Sequence, residues 1–194
     1  MTAPRPIRLV ALDIGNTCVE LHPERVAARL NHPLINPRFF IDQFDPDFEA
    51  FLTGKITRDE YLRRFGSHLT PPIPTETIAA ALASLIGPEI PGVADYIHRL
   101  QAEGARIVYF SDINRIHLQA FREVTKDHFA SVTDAIFSDE VGALKPSEIM
   151  FRAFEQRYGV PDLYLDDRAD LVAAANARGW HAAQAQAWLA SLPQ

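Results

Sequence analysis

The 194-residue sequence predicts an α/β fold, a doubly wound parallel sheet with one helical insert after its first strand. Two observations predict it. Short apolar runs alternate with helical patterns in the second half of the chain, which is typical of parallel strands joined by crossover helices. From about residue 22 to residue 90 that alternation stops, because the pattern there is helical and no clear strand occurs. We therefore expect a core of residues 1–21 and 91–194 and a helical insert of residues 22–90.

Four runs have the length and the apolar, partly β-branched composition of buried strands. They are Ile7–Leu12, Arg106–Phe110, Asp134–Phe137 and Leu163–Leu165. Three amphipathic or alanine-rich segments between and after them predict helices at Gly92–Glu103, Ile149–Tyr158 and Ala169–Arg178. A glycine follows each of these helical patterns, as is usual just past the C-terminal end of a helix.

The insert carries its own helix signals. Thr57-Arg58-Asp59-Glu60 is a capping box and predicts a helix start. Thr75–Ile86 continues a helical pattern after a proline-rich stretch. Open α/β sheets bind ligands at the carboxyl ends of their strands, so an insert of this size after the first strand is expected to cover a site. The alternative is a helical subdomain that only enlarges the core.

Composition excludes several classes of partner. The formal net charge is −6 and basic residues do not cluster, so no nucleic-acid partner is expected. No apolar run approaches the roughly 20 residues of a membrane span, and the N-terminal apolar stretch is too short for a signal peptide. The single cysteine, Cys18, suits a reducing compartment. We expect a cytoplasmic monomer or homodimer that acts on a small molecule.

Polar side chains follow three of the four predicted strands, and a lysine precedes the next helix. These residues are Asp13, Ser111, Asp112, Lys145, Asp166 and Asp167. Taken singly, each has an ordinary structural explanation as a turn residue, a helix-terminus residue or an exposed charge. Their common position favours a site, because the carboxyl ends of parallel strands lie at one edge of the sheet.

Crowded carboxylates repel one another unless a cation neutralises them. Oxygen ligands suit Mg²⁺, which binds through a few carboxylates together with water and substrate phosphates. A lysine and a serine at the same edge can hold phosphate oxygens and spread transition-state charge. A carboxylate can then act as the nucleophile and form an aspartyl phosphate. The residues therefore predict phosphoryl transfer with Mg²⁺ as cofactor.

Four segments in this order resemble the motifs of the haloacid dehalogenase (HAD) superfamily. They are "LVALDIGNT", "IVYFSDINRIH", "LKPSEIMF" and "LYLDDRADLVAAANARG". The insert is similar to the helical cap of subclass I of that superfamily. The Asp-x-Gly-Asn form of the first motif, with "NRIH" after the second, is similar to a branch that contains glucose-1-phosphate phosphatases and the phosphatase-like domains of epoxide hydrolases.

The resemblance implies a Rossmann-like HAD core and a role for each matching residue. Asp13 would be the nucleophile and a Mg²⁺ ligand, and Gly15 would offer its backbone carbonyl to the metal. Asp167 would be a direct metal ligand, with Asp166 acting close to the ion.

The same resemblance implies which residues would bind the phosphate group. Ser111 and Lys145 would hold the phosphoryl group, Asp112 and Asn114 are further candidate phosphate contacts, and insert residues would read the leaving group. His117, just after the second motif, is a candidate for orienting that loop or contacting substrate. The implied activity is that of a phosphatase of small phosphorylated metabolites, with sugar phosphates as one option.

Three positions depart from the family pattern. Gly15 stands where most phosphatases of the superfamily carry a second aspartate that acts as general acid and base. Asp112 stands where asparagine is usual, and Leu171 where the fourth motif has aspartate or asparagine. The departures keep open a catalytically silent phospho-ligand-binding protein. A dehalogenase on the same fold needs no metal, and the Asp166-Asp167 pair argues against it.

Overall fold

A computed structural model describes residues 6–33, 35, 46–126, 129 and 131–190. The remaining parts of the two predicted units lie outside the described residues. The strands are β1 (Leu9–Leu12), β2 (Val19–Leu21), β3 (Ile86–Glu89), β4 (Arg106–Ser111), β5 (Asp134–Phe137), β6 (Leu163–Asp166) and β7 (Ala182–Gln184). Five of them form a sheet in the order β5-β4-β1-β6-β7, and every neighbouring pair is parallel. The predicted α/β fold class is confirmed, with β1 at the centre of the sheet.

The five helices that the sequence predicted are present, and five more occur in the described residues without an individual prediction. In the insert they are α1 (Pro23–Leu30), α2 (Pro46–Leu52), α3 (Arg58–Ser67) and α4 (Thr75–Ala83). In the core they are α5 (Val93–Ala102), α6 (Arg115–Thr125), α7 (Ser138–Val141), α8 (Glu148–Tyr158), α9 (Ala169–Ala177) and α10 (Ala185–Ala190). The predicted capping box is present at α3, where the Thr57 hydroxyl accepts a hydrogen bond from the backbone N–H of Glu60 at 3.2 Å. That bond satisfies a donor of the first turn, which has no partner inside the helix.

The sheet is covered on both faces, as a doubly wound fold requires. Successive side chains of β1 point to opposite faces, so Val10 and Leu12 join one apolar cluster while Ala11 joins the other. Helices α5 and α6 supply the first cluster, and helices α8 and α9 supply the second. Burial on both faces explains why the strand sequences are nearly continuous apolar runs rather than alternating ones.

Most residues of a further apolar cluster, including Tyr61 of α3, come from the insert, and Ile116 of α6 joins it from the core. The Tyr61 ring stacks on Phe51 of α2 with the ring centroids 4.8 Å apart. The insert is also tied to the core by a hydrogen bond, since the Ser138 hydroxyl donates to the Leu52 carbonyl at 2.7 Å. The same hydroxyl accepts from the backbone N–H of Ile113 at 3.0 Å, so one side chain joins α2 to the loop after β4.

One element of the insert differs from the sequence prediction. We expected helix through Ile86 and no strand, but α4 ends at Ala83 and β3 begins at Ile86. The helix is capped at Ser84, whose backbone N–H and hydroxyl both donate to the Ala81 carbonyl, and Pro88 then favours an extended conformation at Gly87 in the strand. Strand β3 pairs antiparallel with β2, so the chain leaves and re-enters the core through two paired strands. The three-residue strand β7 was also missed, because its alanine-rich sequence has no strand signature.

Candidate active site

Lys145 lies at the centre of the predicted site. Its ammonium Nζ is 2.7 Å from Oδ1 of Asp13 and 2.6 Å from Oδ2 of Asp166. It also contacts the Phe110 carbonyl at 3.0 Å and the Tyr164 hydroxyl at 3.1 Å. The lysine is 6% exposed. The polar residues at the ends of β1, β4 and β6 therefore meet at one edge of the sheet, as expected.

Three carboxylates surround this lysine. Oxygens of Asp13, Asp166 and Asp167 lie within 4.8 Å of one another, which is close enough for one cation to bind all three residues. These are hard oxygen donors, the type that Mg²⁺ prefers. Together with Lys145 and Tyr164 they form what we call the Lys145 cluster. The donor set fits Mg²⁺, because three carboxylates face one ammonium and negative charge is in excess.

The three carboxylates are not equivalent. Asp166 is fully buried, and both of its oxygens are engaged: Oδ2 by Lys145 and the Tyr164 hydroxyl, and Oδ1 by the backbone N–H of Arg168 at 2.9 Å. Asp167 is half-buried and accepts from the side chain of Asn16 at 3.2 Å. Asp166 is thus committed to orienting Lys145, while Asp13 and Asp167 are freer to face a cation.

Burial dominates the electrostatics of the Lys145 cluster. It raises the pKa of Asp13 to about 7, an effect that Lys145 opposes and that Asp166 reinforces. Burial also raises the pKa of Asp167. For Lys145, burial disfavours the charged form, yet the surrounding Asp13, Tyr164 and Asp166 hold its pKa well above the ordinary value. Lysine therefore stays charged, and a second cation would lower the energy of the ionised carboxylates.

The loop after β1 brings Gly15 and Asn16 to the cluster. Asn16 has a positive φ of 48°, a backbone conformation that asparagine tolerates better than most residues. Its side chain accepts from the backbone N–H of Leu21 at 3.1 Å and donates to Asp167. A Cβ at Gly15 would lie 2.8 Å from Cδ1 of Leu21. The missing second aspartate would therefore project toward Leu21, whose flexible side chain would have to move.

Ser111 and Asp112 lie at the carboxyl end of β4. Ser111 ends the strand and is 3% exposed, at the same sheet edge as Asp13. Both carboxylate oxygens of Asp112 accept from the backbone N–H of Lys145, at 3.0 and 3.2 Å. Burial raises the pKa of Asp112, although Lys145 opposes the shift. Asp112 thus fixes the segment that carries Lys145.

Asn114 has a different role from the expected phosphate contact. Its Oδ1 accepts from the backbone N–H of His117 at 3.0 Å, and its amide nitrogen lies 3.1 Å from Nδ1 of His117. Asn114 is 1% exposed and caps α6. Asparagine is a strong N-cap residue, which explains why this function prevails. These contacts hold His117 against Asn114, and both roles expected for His117, in orienting the loop and in contacting substrate, stay predictions.

No polar side chain of the fourth motif takes the place of the usual aspartate or asparagine at position 171. Leu171 is buried in the first turn of α9. The neighbouring Asp170 turns outward and pairs with Arg168 at 2.6 Å. Support of the cluster comes instead from Tyr164 and Asn16, two motif residues for which the sequence predicted no role. Tyr164 had a weak signal, because it lies two residues before Asp166 in a strand and such residues share a face.

No family model matches the chain. Solved structures match it over nearly its whole length. The HAD family enzyme BT-2542 from Bacteroides thetaiotaomicron, in complex with magnesium and inorganic phosphate, superposes with a TM-score of 0.78. The two chains are 20% identical, and the match covers 92% of this chain and 93% of that chain. The chain has the haloacid dehalogenase fold.

Two further structures bear out the HAD fold. A predicted HAD-like family hydrolase from Porphyromonas gingivalis has a TM-score of 0.77 at 20% identity, over 93% of this chain and 91% of that chain. The L-2-haloacid dehalogenase from Xanthobacter autotrophicus has a TM-score of 0.64 at 17% identity, over 92% of this chain and 77% of that chain. None of the helices in the described residues is long and apolar enough to cross a membrane.

Proposed function

We propose that this chain is a HAD-superfamily phosphatase that hydrolyses small phosphate monoesters with Mg²⁺ through an aspartyl phosphate on Asp13. One observation carries the proposal: the buried Lys145 ammonium bonds Asp13 and Asp166 at once, beside Asp167. A carboxylate nucleophile, a cation-binding carboxylate pair and a fixed positive charge are the groups that phosphoryl transfer requires. The insert acts as a subclass I cap, and the single cysteine is in keeping with a cytoplasmic location.

In the proposed reaction, a carboxylate oxygen of Asp13 attacks phosphorus and the bond from phosphorus to the ester oxygen breaks. Lys145 and Ser111 hold the phosphoryl oxygens during this transfer. The departing oxygen leaves as an anion and takes a proton from water, and a water molecule then attacks the acyl phosphate to release inorganic phosphate and restore the Asp13 carboxylate. Asp13, Asp167 and the Gly15 carbonyl would hold Mg²⁺, which neutralises charge on the carboxylates and the phosphate.

The magnesium and phosphate complex of BT-2542 supports this proposal, since that enzyme shares the fold. The alternative is a protein of the same fold that binds a phosphate ester without turning it over. The absence of an acid side chain at Gly15 and the apolar Leu171 favour that alternative. General acid–base catalysis is worth about 10²–10⁴ in rate, so turnover decides between the two readings.

The deciding experiment measures hydrolysis of p-nitrophenyl phosphate and a panel of phosphate esters, with Mg²⁺ and with a chelator. We expect Mg²⁺-dependent turnover that Asp13→Asn abolishes, because an amide is neither a nucleophile nor a good Mg²⁺ ligand. Asp170→Asn is the matched control. It makes the same change at an exposed carboxylate paired with Arg168, outside the Lys145 cluster.

Mass analysis of acid-quenched protein should find phosphate on the peptide that contains Asp13. Phosphate binding by calorimetry without turnover of any ester would favour the silent binder. Metal-independent release of halide from a 2-haloacid would replace the phosphatase by a dehalogenase.

A further inference from the structure

A cavity of about 320 Å³ lies between the insert and the core. Most of its lining is apolar: Leu21, Pro23, Val26, Phe48, Leu82 and Leu85. Helices α1, α2 and α4 supply four of these side chains, so the insert forms most of the wall. We call this cavity the insert pocket. A cavity of about 150 Å³ is enough for benzene, so this one has room for a substituted ring.

The two polar residues in the wall of the insert pocket are Asn16 and His117. Burial lowers the pKa of His117 to about 4, although the Leu82 backbone opposes the shift, so the ring is neutral at pH 7. The His117 ring makes an edge-to-face contact with the Phe48 ring, with the ring centroids 6.3 Å apart and an angle of 63° between the ring planes. None of the lining residues therefore carries a charge at neutral pH. A sugar would bury several hydroxyls here against few hydrogen-bond partners, which is costly.

Asn16 connects the insert pocket to the Lys145 cluster. It lines the cavity and donates a hydrogen bond to Asp167. Gly15 gives a second link, because a Cβ at Gly15 would touch Leu21, which also lines the cavity. A phosphate held at the cluster thus has the insert pocket as the neighbouring space for its alcohol part.

We propose that the insert pocket binds the leaving group of the substrate and that this group is an uncharged aromatic alcohol rather than a sugar. The proposal rests on the phosphatase activity proposed above. The lining predicts an apolar group of the size of one substituted ring.

The first motif points independently to the same class. With glycine at position 15, that position supplies no acid to protonate the departing oxygen. A phenolic oxygen, with a pKa of about 10, leaves as an anion far more readily than an alkoxide, whose conjugate acid is about as weak an acid as water. An aryl ester therefore suits both the walls of the insert pocket and the chemistry beside it.

The test compares benzyl phosphate with glucose 6-phosphate. Both lose a primary alkoxide, so their kcat/KM ratio reports the insert pocket and not leaving-group acidity. We expect benzyl phosphate to be preferred by at least about tenfold, since even one well-placed methylene can give that discrimination. Phenyl phosphate should be faster again.

A binding measurement removes the dependence on turnover. Binding of 1-naphthol is followed by fluorescence for the unmodified chain, for Leu85→Gln and for Ile149→Gln. Leu85 is half-buried in the cavity wall, whereas Ile149 is 61% exposed on α8, so the second variant is the matched control. We expect about tenfold weaker binding for Leu85→Gln, with unchanged affinity for inorganic phosphate, and no change for Ile149→Gln.

The outcomes separate the two proposals. Naphthol binding that Leu85→Gln weakens, without turnover of any ester, would remove the phosphatase and keep the apolar subsite. Turnover with glucose 6-phosphate preferred, or naphthol binding that Leu85→Gln does not change, would overturn the aromatic subsite and leave the phosphatase. Absence of both turnover and binding would overturn both.

Discussion

The Lys145 cluster and the insert pocket are joined through Asn16, yet they are built from opposite kinds of side chain. The cluster packs three carboxylates and an ammonium at the edge of the sheet. The insert pocket has six apolar side chains and no charge. The cluster draws its residues from the strands and loops of the core, whereas the insert supplies most of the pocket wall.

This difference separates two tasks. Phosphoryl transfer needs charges at fixed positions, which rigid strands provide. The carboxylates and Tyr164 lie at or near strand ends, and Lys145 is held in place by hydrogen bonds to them. Recognition of the alcohol needs only shape and polarity, which helices in an insert can vary without disturbing the charges. Variants that alter one region should therefore leave the function of the other measurable.

The largest effect is expected for Lys145→Met. Removing the ammonium leaves Asp13 and Asp166 buried together without their shared partner, so kcat/KM for p-nitrophenyl phosphate should fall about 10²–10³-fold. The free energy of unfolding should also fall, by about 3–5 kcal/mol, as for other buried pairs that lose one partner. Lys55→Met changes an exposed lysine of the insert and should alter neither quantity. Unchanged phosphate turnover in folded Lys145→Met protein would remove Lys145 from the site.

The sequence predicted the cluster better than the pocket, for a physical reason. Asp13 and Asp166 stand at the carboxyl ends of apolar strands and Lys145 just before a helix, and parallel topology brings these positions to one edge of the sheet whatever the details of packing. The walls of the insert pocket depend on how α1, α2 and α4 pack over β2. Side chains such as Val26 and Leu82 look like ordinary core residues in a helical pattern. The local sequence pattern does not distinguish residues that line a cavity from residues of a filled apolar core.

The same reasoning explains the individual misses. In the sequence, Tyr164 is one more residue of an apolar strand. The hydrogen bond between its hydroxyl and Lys145 depends on the tertiary structure, so the sequence pattern could not predict it. The family resemblance predicted that Asn114 contacts phosphate, but Asn114 directly precedes α6 and its side chain caps the N-terminus of that helix. Strand β3 was missed because four residues containing Gly87 and Pro88 give no strand periodicity.

The neutral wall of the insert pocket can be tested through acid stability. The pKa of His117 is lowered to about 4 in the folded chain, against about 6.5 when unfolded. As pH falls from 6.5 to 4, the unfolded chain therefore takes up a proton that the folded chain does not, and stability is lost. The loss attributable to this residue is about 3 kcal/mol, complete below pH 4.

In His117→Gln the unfolding free energy, measured by urea titration, should fall less steeply over that range. His181→Gln, a change at an exposed histidine, is the control and should retain the original slope. Equal slopes for His117→Gln and the unmodified chain would mean that His117 is not held neutral, and the insert pocket would then carry a charge near pH 6.

A smaller effect is expected for Tyr164→Phe. The Tyr164 hydroxyl contacts both Lys145 and Asp166, so its loss should loosen the lysine without removing any charge. We expect kcat for p-nitrophenyl phosphate to fall about tenfold with little change in KM, because the geometry matters most in the transition state. Tyr158→Phe also removes a hydroxyl, one bonded to Asp134 away from the cluster, and should leave kcat unchanged. A change in KM alone would contradict a role in positioning Lys145.

The smallest effect concerns Gly15, where the cluster and the insert pocket adjoin. Gly15→Asp would place a carboxyl group beside Leu21, which must move because Cδ1 lies 2.8 Å from the new Cβ. If proton supply to the departing oxygen limits the reaction, this variant should raise the rate for benzyl phosphate relative to phenyl phosphate by a few-fold, well short of the 10²–10⁴ of an optimised acid. Gly15→Ala introduces the same Cβ without an acid and should leave the ratio unchanged.

Asp112 is the competing proton source, and the two ideas give different results. Burial raises its pKa, which favours the acid form, but both of its oxygens accept from the backbone N–H of Lys145, which favours the carboxylate. We expect the carboxylate to persist, so Asp112→Asn should leave the ratio of benzyl to phenyl hydrolysis unchanged. A selective loss of benzyl phosphate hydrolysis in Asp112→Asn would make Asp112 the acid. In that case Gly15→Asp should add nothing to the ratio, since the proton already arrives from the loop after β4.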